Sequence, residues 1–300
     1  MSSLGKVLIT AKSVSSSAAA LKLLQDAGCE VAIKNTPLPF DEAWLTEQAR
    51  QVDALMFAME PMGARLIEAA TRLKVIARPG VGYDTVDVAA CTRRGIPVTV
   101  APVNDQSVAD FAMGLILASA RNLVPACNGV QAHGWDRFTG TEVWRKTLTI
   151  VGLGRIGKGL ARRARGFDMR VLAVSADRDE AFAALNGVEY VDMEAGLREA
   201  DFVSLHAPLT AETDGMINRH TLALMKAGAY VINTARGGLI DEAALAEAVL
   251  RKQIAGAAVD VLRMQGANSP SPLIGVPGIL VTPHMATFAR EAMERVAQAA

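Results

Sequence analysis

The run Thr147-Leu-Thr-Ile-Val151 passes directly into Gly152-Leu153-Gly154-Arg155-Ile156-Gly157 and on into Lys158-Gly-Leu-Ala-Arg-Arg163. An apolar, strand-like run, a G-x-G-x-x-G turn and a helical pattern, with a further strand-like run at Arg170–Val174, spell out one βαβ unit. Each glycine answers a separate demand. Gly152 permits the tight turn, Gly154 lets the backbone approach a pyrophosphate, and Gly157 lets helix and strand pack closely. The amides near Arg155 and Ile156 then open a helix, where the dipole favours an anion. The turn reads as a dinucleotide-binding element, in preference to an incidental glycine-bearing loop.

The same alternation of strand and helix runs along the whole chain. Strands are predicted at Lys6–Thr10, Glu30–Ile33, Ala54–Phe57, Lys74–Arg78 and Pro97–Val100, with helices around Ala18–Gln25, Asp41–Arg50, Arg65–Thr71 and Asp87–Arg94 between them. A second set of strands is predicted at Thr147–Val151, Arg170–Val174, Asp201–His206, Tyr230–Thr234, Ala257–Asp260 and Ile279–Thr282. This rhythm implies an α/β fold, with parallel sheets covered by helices on both faces. Between the two sets lies Val108–Asn122, apolar on most faces, with Ser107 as its expected N-cap. Such a helix must be buried, between domains or against another subunit. Gly/Pro-rich stretches near Val100–Pro102 and Ser269–Pro283 are the expected crossing points between domains.

Three hundred residues exceed what one core usually organises, so two domains are expected. Lys+Arg and Asp+Glu both number 31. That balance argues against a general nucleic-acid binder or a polybasic membrane anchor. The longest apolar run, Phe111–Ala120, contains Gly114 and Ser119 and is too short for a membrane span. The opening MSSLGKVLIT lacks the charged and long apolar regions of a signal peptide. Cys29, Cys91 and Cys127 are odd in number and far apart, which fits a reducing cytoplasm, and no metal-ligand cluster is evident.

A carboxylate for the adenosine ribose is expected where the strand after the glycines ends. Ser175 stands there. Asp177 offers a substitute carboxylate, whereas Ser175 with Arg178 would suit a 2′-phosphate, so NAD and NADP both stay open.

Seven segments in order carry a wider resemblance. They are Arg78-Pro-Gly-Val-Gly-Tyr-Asp-Thr-Val-Asp87, Ser107-Val-Ala-Asp110, Gly152–Gly157, Ser204-Leu-His-Ala-Pro208, Asn233-Thr-Ala-Arg-Gly237, Gly256-Ala-Ala-Val-Asp260 and Thr282-Pro-His284. Together they resemble the D-isomer-specific 2-hydroxyacid dehydrogenases, especially phosphoglycerate-dehydrogenase-like members. The resemblance implies a flavodoxin-like substrate domain, 1–100 with 285–300, and a Rossmann-type dinucleotide-binding domain, 101–284. It also implies a homodimer formed through the cofactor domain. Residue by residue, it implies that Arg236 holds the substrate carboxylate and carbonyl and that His284 is the acid/base. It places the amides of Val81 and Gly82 on the substrate carboxylate, Asp260 and Thr234–Ala235–Arg236 beside the nicotinamide, and His206, Ala207 and Pro208 on the adenosine side.

The chemistry agrees with the resemblance. Reducing a 2-oxo acid requires a hydride on one carbonyl face, a proton for the oxygen and a cation for the carboxylate. The arginine fork matches a planar carboxylate, and imidazole titrates near neutrality. His133 and His220 read as solvated, and Arg162, Arg163 and Arg165 as a solvated helix face.

Some positions depart from the pattern. Gln265 stands where these enzymes pair a glutamate with the histidine. An amide accepts a hydrogen bond from imidazole but offers no charge to an imidazolium, so a weaker or more acid-shifted reductase is expected. Gln265, with Asn104 ahead of Ser107, is also similar to the formate dehydrogenase branch, where no hydroxyl proton moves. A dinucleotide-sensing protein with little or no catalysis is the third reading. The loop Ala58-Met59-Glu60-Pro61-Met62 carries a carboxylate and no cation, so Glu60 is expected to disfavour phosphorylated substrates. Arg145 and Thr149 replace glycines usual near the cofactor strand. The chain ends at Arg295–Ala300, about a helix short of the enzymes it resembles, and looser packing of the first domain is expected.

Overall fold

The computed structural model describes residues 4–34, 36 and 40–300. Two compact units divide the chain, Met1–Asn104 with Thr287–Ala300, and Asp105–Ala286. The first contains β1 (Gly5–Ile9), α1 (Lys12–Ser15), α2 (Ala18–Asp26), β2 (Cys29–Ile33), α3 (Glu42–Ala49), β3 (Ala54–Met56), α4 (Ala64–Ala69), β4 (Val75–Arg78), α5 (Val88–Arg94) and β5 (Val98–Val100). Its parallel sheet has the order β2-β1-β3-β4-β5, which is flavodoxin-like. Helix starts follow local chemistry: Ser17, Asp41 and Asp87 accept hydrogen bonds from the amides of Ala20, Trp44 and Ala90. Successive side chains of each strand serve opposite faces. Leu8, Leu55 and Ile76 join one buried cluster, and Val7, Ile9, Met56 and Ala77 join another.

The second unit contains α6 (Asp105–Ala120), α7 (Leu123–Gln131), β6 (Thr147–Val151), α8 (Arg155–Ala164), β7 (Arg170–Val174), α9 (Glu180–Asn186), β8 (Val188–Tyr190), α10 (Met193–Glu199), β9 (Phe202–Leu205), α11 (Arg219–Leu222), β10 (Tyr230–Asn233), α12 (Glu242–Leu250), β11 (Gly256–Val259) and β12 (Ile279–Val281). All neighbouring strands are parallel, in the order β12-β11-β10-β9-β6-β7-β8. This is a doubly wound Rossmann sheet, and its order reverses between β6 and β9. Strand β8 has only three residues and was not anticipated from the apolar pattern. The last helix, α13 (Arg290–Ala299), returns to the first unit. There Ala297 joins the cluster of Val7 and Ile9, and the Ser17 hydroxyl donates to Glu294 at 2.9 Å.

Three expectations change. Helix α6 begins at Asp105, so Ser107 lies inside it, and its buried hydroxyl donates to the Ala286 carbonyl at 2.9 Å. The apolar faces of α6 are largely covered within its own unit, by α8, β10 and β11. Arg163 is no solvated cation. It ties α8 to α6 through the Asp110 carboxylate, the Gln106 side chain and the Gln106 carbonyl. Arg162 lies over the Phe182 ring, 5.2 Å from its centroid. Thr149, in a glycine-like position, is fully buried and donates its hydroxyl to the Gly196 carbonyl at 2.7 Å, which satisfies it.

Among the described residues no single helix is long and apolar enough to cross a membrane; α6 and α7 together have the length but bend by 66°. The described residues include no cluster of metal-ligating side chains, and all three cysteines are free.

Candidate active site

Every candidate residue of the second unit lies at or beyond the carboxyl end of a strand, where open α/β sheets bind their ligands. Along that edge His284 follows β12, Asp260 follows β11, Thr234–Arg236 follow β10, His206–Pro208 follow β9, Gly152–Gly157 follow β6, and Ser175–Arg178 follow β7.

The glycine turn sits beside the reversal of strand order. Gly152 has φ +96°, and a Cβ there would lie 2.7 Å from the Ala207 nitrogen and the His206 carbonyl carbon. Its absent side chain therefore admits the segment leaving β9 as well as permitting the turn. A Cβ on Gly157 would lie 2.3 Å from the Gly152 oxygen. Around Gly154 a Cβ would meet nothing within 4 Å. Gly154 is the N-cap of α8 and supplies no side chain to its first amides. Gly154 and Arg155 are exposed and Ile156 is half-buried. An open space before an uncapped helix start is what a pyrophosphate requires.

His206 packs against this turn. Its Nε2 lies 2.9 Å from the Ser204 hydroxyl, while its Nδ1 is sealed from solvent with no protein partner. Burial pushes the imidazole down to about 4 from 6.5. The unfolded chain thus binds a proton that the folded chain refuses between those values. Stability is expected to be full above pH 6.5 and to fall by on the order of 2–3 kcal/mol as pH drops to 4. Urea unfolding across that range checks this, and His206→Asn should flatten the dependence.

Beyond β7, Ser175 is half-buried, and Asp177 and Arg178 are exposed. The Arg178 guanidinium lies over the Tyr190 ring, 5.1 Å from its centroid, and 4.0 Å from Glu180. Asp179 caps α9 and pairs with Lys158, whose hydrogen bond holds the carboxyl below its ordinary range.

The turn after β10 is braced from below. Asn233 is fully buried; its Oδ1 accepts the Ala235 amide at 3.0 Å and its Nδ2 donates to the Arg236 carbonyl at 2.8 Å. Gly237 then packs on the Leu262 carbonyl, where a Cβ would be 2.1 Å from carbon. The strand ends are linked in series: the Asp260 amide donates to the Asn233 carbonyl at 2.9 Å, and the His284 amide donates to the Asp260 carbonyl at 2.8 Å. Arg236 and His284 therefore stand on turns joined through β11.

His284 occupies a left-handed conformation, φ +53°, uncommon for a residue with a side chain. Its Nδ1 lies 2.7 Å from Gln265 Oε1. With the amide oxygen accepting, Nδ1 carries the proton. Asp260 lies on the intervening turn. Its side chain is 1% exposed and faces the His284 turn, accepting from the Thr282 hydroxyl (2.6 Å), the Met285 amide (2.9 Å) and the Ala286 amide (2.8 Å). The carboxylate acts as a brace for that turn.

In the first unit, Arg78 folds around the Pro79–Gly82 loop. It donates to the carbonyls of Gly82 (2.9 Å) and Pro79 (3.3 Å), while Gly80 takes φ +151°. Val81 is exposed at that loop. Asn104 is buried, with Nδ2 donating to the Thr287 hydroxyl at 2.8 Å and Oδ1 sealed without a partner. Glu60 turns inward rather than toward solvent. It accepts from the amides of Ala58 and Met59 at 2.8 Å each and from the Thr36 hydroxyl. Burial alone would raise its pKa; the hydroxyls of Thr10 and Thr36 and the loop amides outweigh that and hold it below its ordinary value.

Among the described residues of the second unit, three buried side-chain polar atoms have no protein partner, and two of them belong to His206 and Thr234. Native cores rarely leave such atoms unsatisfied without reason. Their coincidence with candidate positions, together with the open space at Gly154, fits a polar ligand such as a dinucleotide.

The family model for the D-isomer specific 2-hydroxyacid dehydrogenase NAD binding domain matches residues 113–286. The chain belongs to the D-isomer specific 2-hydroxyacid dehydrogenase family. By class it is an NAD(P)-dependent oxidoreductase, and the matched domain binds a nicotinamide dinucleotide. A glyoxylate reductase of Korarchaeum cryptofilum is 41% identical over 262 residues, covering 85% of this chain and 79% of that protein. A D-3-phosphoglycerate dehydrogenase of Mycobacterium tuberculosis is 39% identical over 297 residues, covering 98% of this chain and 55% of that protein. The chain thus spans about half the length of that phosphoglycerate dehydrogenase. A solved Thermus thermophilus structure is 35% identical with a TM-score of 0.89, covering 98% of this chain and 93% of that one.

Within this 2-hydroxyacid dehydrogenase chain, reasoning from sequence missed the bracing role of Asn233. The available signal was a polar residue closing an otherwise apolar buried strand, because a buried amide needs partners and finds them in the adjoining turn.

Proposed function

We propose that the chain interconverts a small, unphosphorylated 2-oxo acid and its D-2-hydroxy acid. The carrying observation is the His284–Gln265 pair, set on a turn joined through Asp260 to the Arg236 turn. In this reading the Arg236 fork binds the substrate carboxylate and carbonyl, with the Val81 and Gly82 amides and Asn104 as further substrate contacts. Nε2 of His284 exchanges the hydroxyl proton, and Gln265 fixes the tautomer by accepting from Nδ1. Gly152, Gly154, Arg155, Ile156 and Gly157 hold the pyrophosphate. Ser175 and Arg178 face the ribose, His206, Ala207 and Pro208 the adenosine side, and Thr234, Ala235 and Asp260 the nicotinamide side. When bound, the nicotinamide supplies or accepts the hydride.

The preference for unphosphorylated acids rests on the loop at Glu60, which carries a carboxyl held below its ordinary pKa and no lysine or arginine of its own. One observation favours a second, formate-oxidising reading: the histidine partner is a neutral amide, and formate oxidation moves no hydroxyl proton. Following NADH and NADPH absorbance with glyoxylate, pyruvate and hydroxypyruvate, and NAD reduction with formate, separates the two. Cofactor binding without turnover on any of these would favour a sensor.

The assembly is part of the proposal. No residue of α7 is buried, and Leu123, Val124, Val130 and, just beyond it in sequence, Trp135 and Phe138 are exposed, Trp135 by 78%. So much apolar surface in one stretch suits a second copy of the chain. Sedimentation at twice the chain mass is expected, and monomer at micromolar concentration would remove this element.

A further inference from the structure

Gln265 lies on a loop with little of its own packing. Residues 263–268 are all exposed, and nothing local obliges the amide to stay against the imidazole. One side chain from outside the loop grips it twice. Glu242 Oε1 accepts the Arg263 amide at 2.6 Å, and Oε2 accepts the Ser271 hydroxyl at 2.7 Å. Glu242 is the first residue of α12, and that helix is already capped by Asp241, which accepts the Ala244 amide at 3.0 Å. The Glu242 carboxylate is thus not needed as an N-cap. Between the two anchors, the Ser269 hydroxyl donates to the Met264 carbonyl and closes the loop on itself. Next to the first anchor, the Arg263 guanidinium donates to Asp214 (2.8 Å) and the Gly238 carbonyl (2.9 Å).

We propose that Glu242 is a positioning residue: by fastening residues 263 and 271 it holds Gln265 against Nδ1 of His284. The inference rests on the acid/base reading of His284 given above. Glu242 touches no reacting atom. It keeps one imidazole tautomer in place by fixing the backbone two residues from the amide that selects it.

The test compares Glu242→Ala, Glu242→Gln, Gln265→Ala and the double alanine variant. Glu242→Ala should lower kcat about tenfold, the value of one orienting hydrogen bond, with little change in cofactor KM. Glu242→Gln should restore most of the loss, because its oxygen can accept the Arg263 amide and its nitrogen can donate to the Ser271 hydroxyl. The double variant should be no slower than Gln265→Ala, and the two should share one pH–rate profile; losses that multiply would overturn the proposal. A second readout needs no turnover. Nitrogen-15 signals of the His284 ring, assigned with His284→Asn, should move in Glu242→Ala toward those of Gln265→Ala. An unmoved signal overturns the brace even in an active enzyme. If the wild type reduces no 2-oxo acid, the acid/base reading fails while the ring signals still decide the brace. Ser271→Ala removes one anchor alone and should show the same changes at smaller size, should Glu242→Ala not fold.

Discussion

Asparagine in place of His284 is expected to lower kcat for 2-oxo-acid reduction by about 10²–10⁴-fold, the usual worth of a positioned acid/base. Dinucleotide affinity should stay near that of the wild type. Asparagine is the informative replacement because it tolerates the left-handed conformation that His284 adopts at φ +53°. The loss then reports the imidazole and not a collapsed turn. Steady-state kinetics with a 2-oxo acid and fluorescence titration of the reduced cofactor measure the two effects. Retained reduction would remove His284 from the chemistry. The companion variant is Gln265→Glu. A carboxylate at 2.7 Å from Nδ1 would favour the imidazolium, so the alkaline limb of the reductive profile should move to higher pH. An unchanged profile would show that the neutral amide is not what limits this enzyme.

Asp260→Asn is expected to damage both stability and turnover. The two carboxylate oxygens take three donors in an environment closed to water: the Thr282 hydroxyl and the amides of Met285 and Ala286. An amide keeps one oxygen and turns an NH₂ group toward the remaining donor or donors, leaving a buried N–H unsatisfied. That costs about 2–3 kcal/mol and lowers Tm by roughly 5–10 °C. The turn carrying His284 loses its anchor at the same time, so kcat should fall at least as far as for Gln265→Ala. Thermal denaturation beside steady-state kinetics reads both. A variant with unaltered Tm and kcat would show that the carboxylate does not hold the turn.

The candidate site was unevenly legible. Gly152, Gly154 and Gly157 could be assigned because their requirement is local: a backbone angle or a close approach that only glycine tolerates. Arg236 and His284 came from the resemblance, with which their positions after strands agree, because strand ends of a doubly wound sheet share one edge. Arg163 was misread, and the bracing contacts of Glu60, Asp260 and Glu242 were passed over. Each looks like an ordinary charged residue until its partners are known. Arg163 finds Gln106 and Asp110, more than fifty residues earlier; Glu242 finds Arg263 and Ser271, more than twenty later.

Residue order alone determined the alternation of strands and helices, the two parallel sheets and the place of the dinucleotide turn, because period, β-branching and glycine freedom act over a few neighbouring residues. Only the tertiary structure decided which polar side chains serve chemistry and which hold the backbone that presents it. A buried charge or amide is defined by the donors and acceptors it meets, and folding brings those from distant parts of the chain.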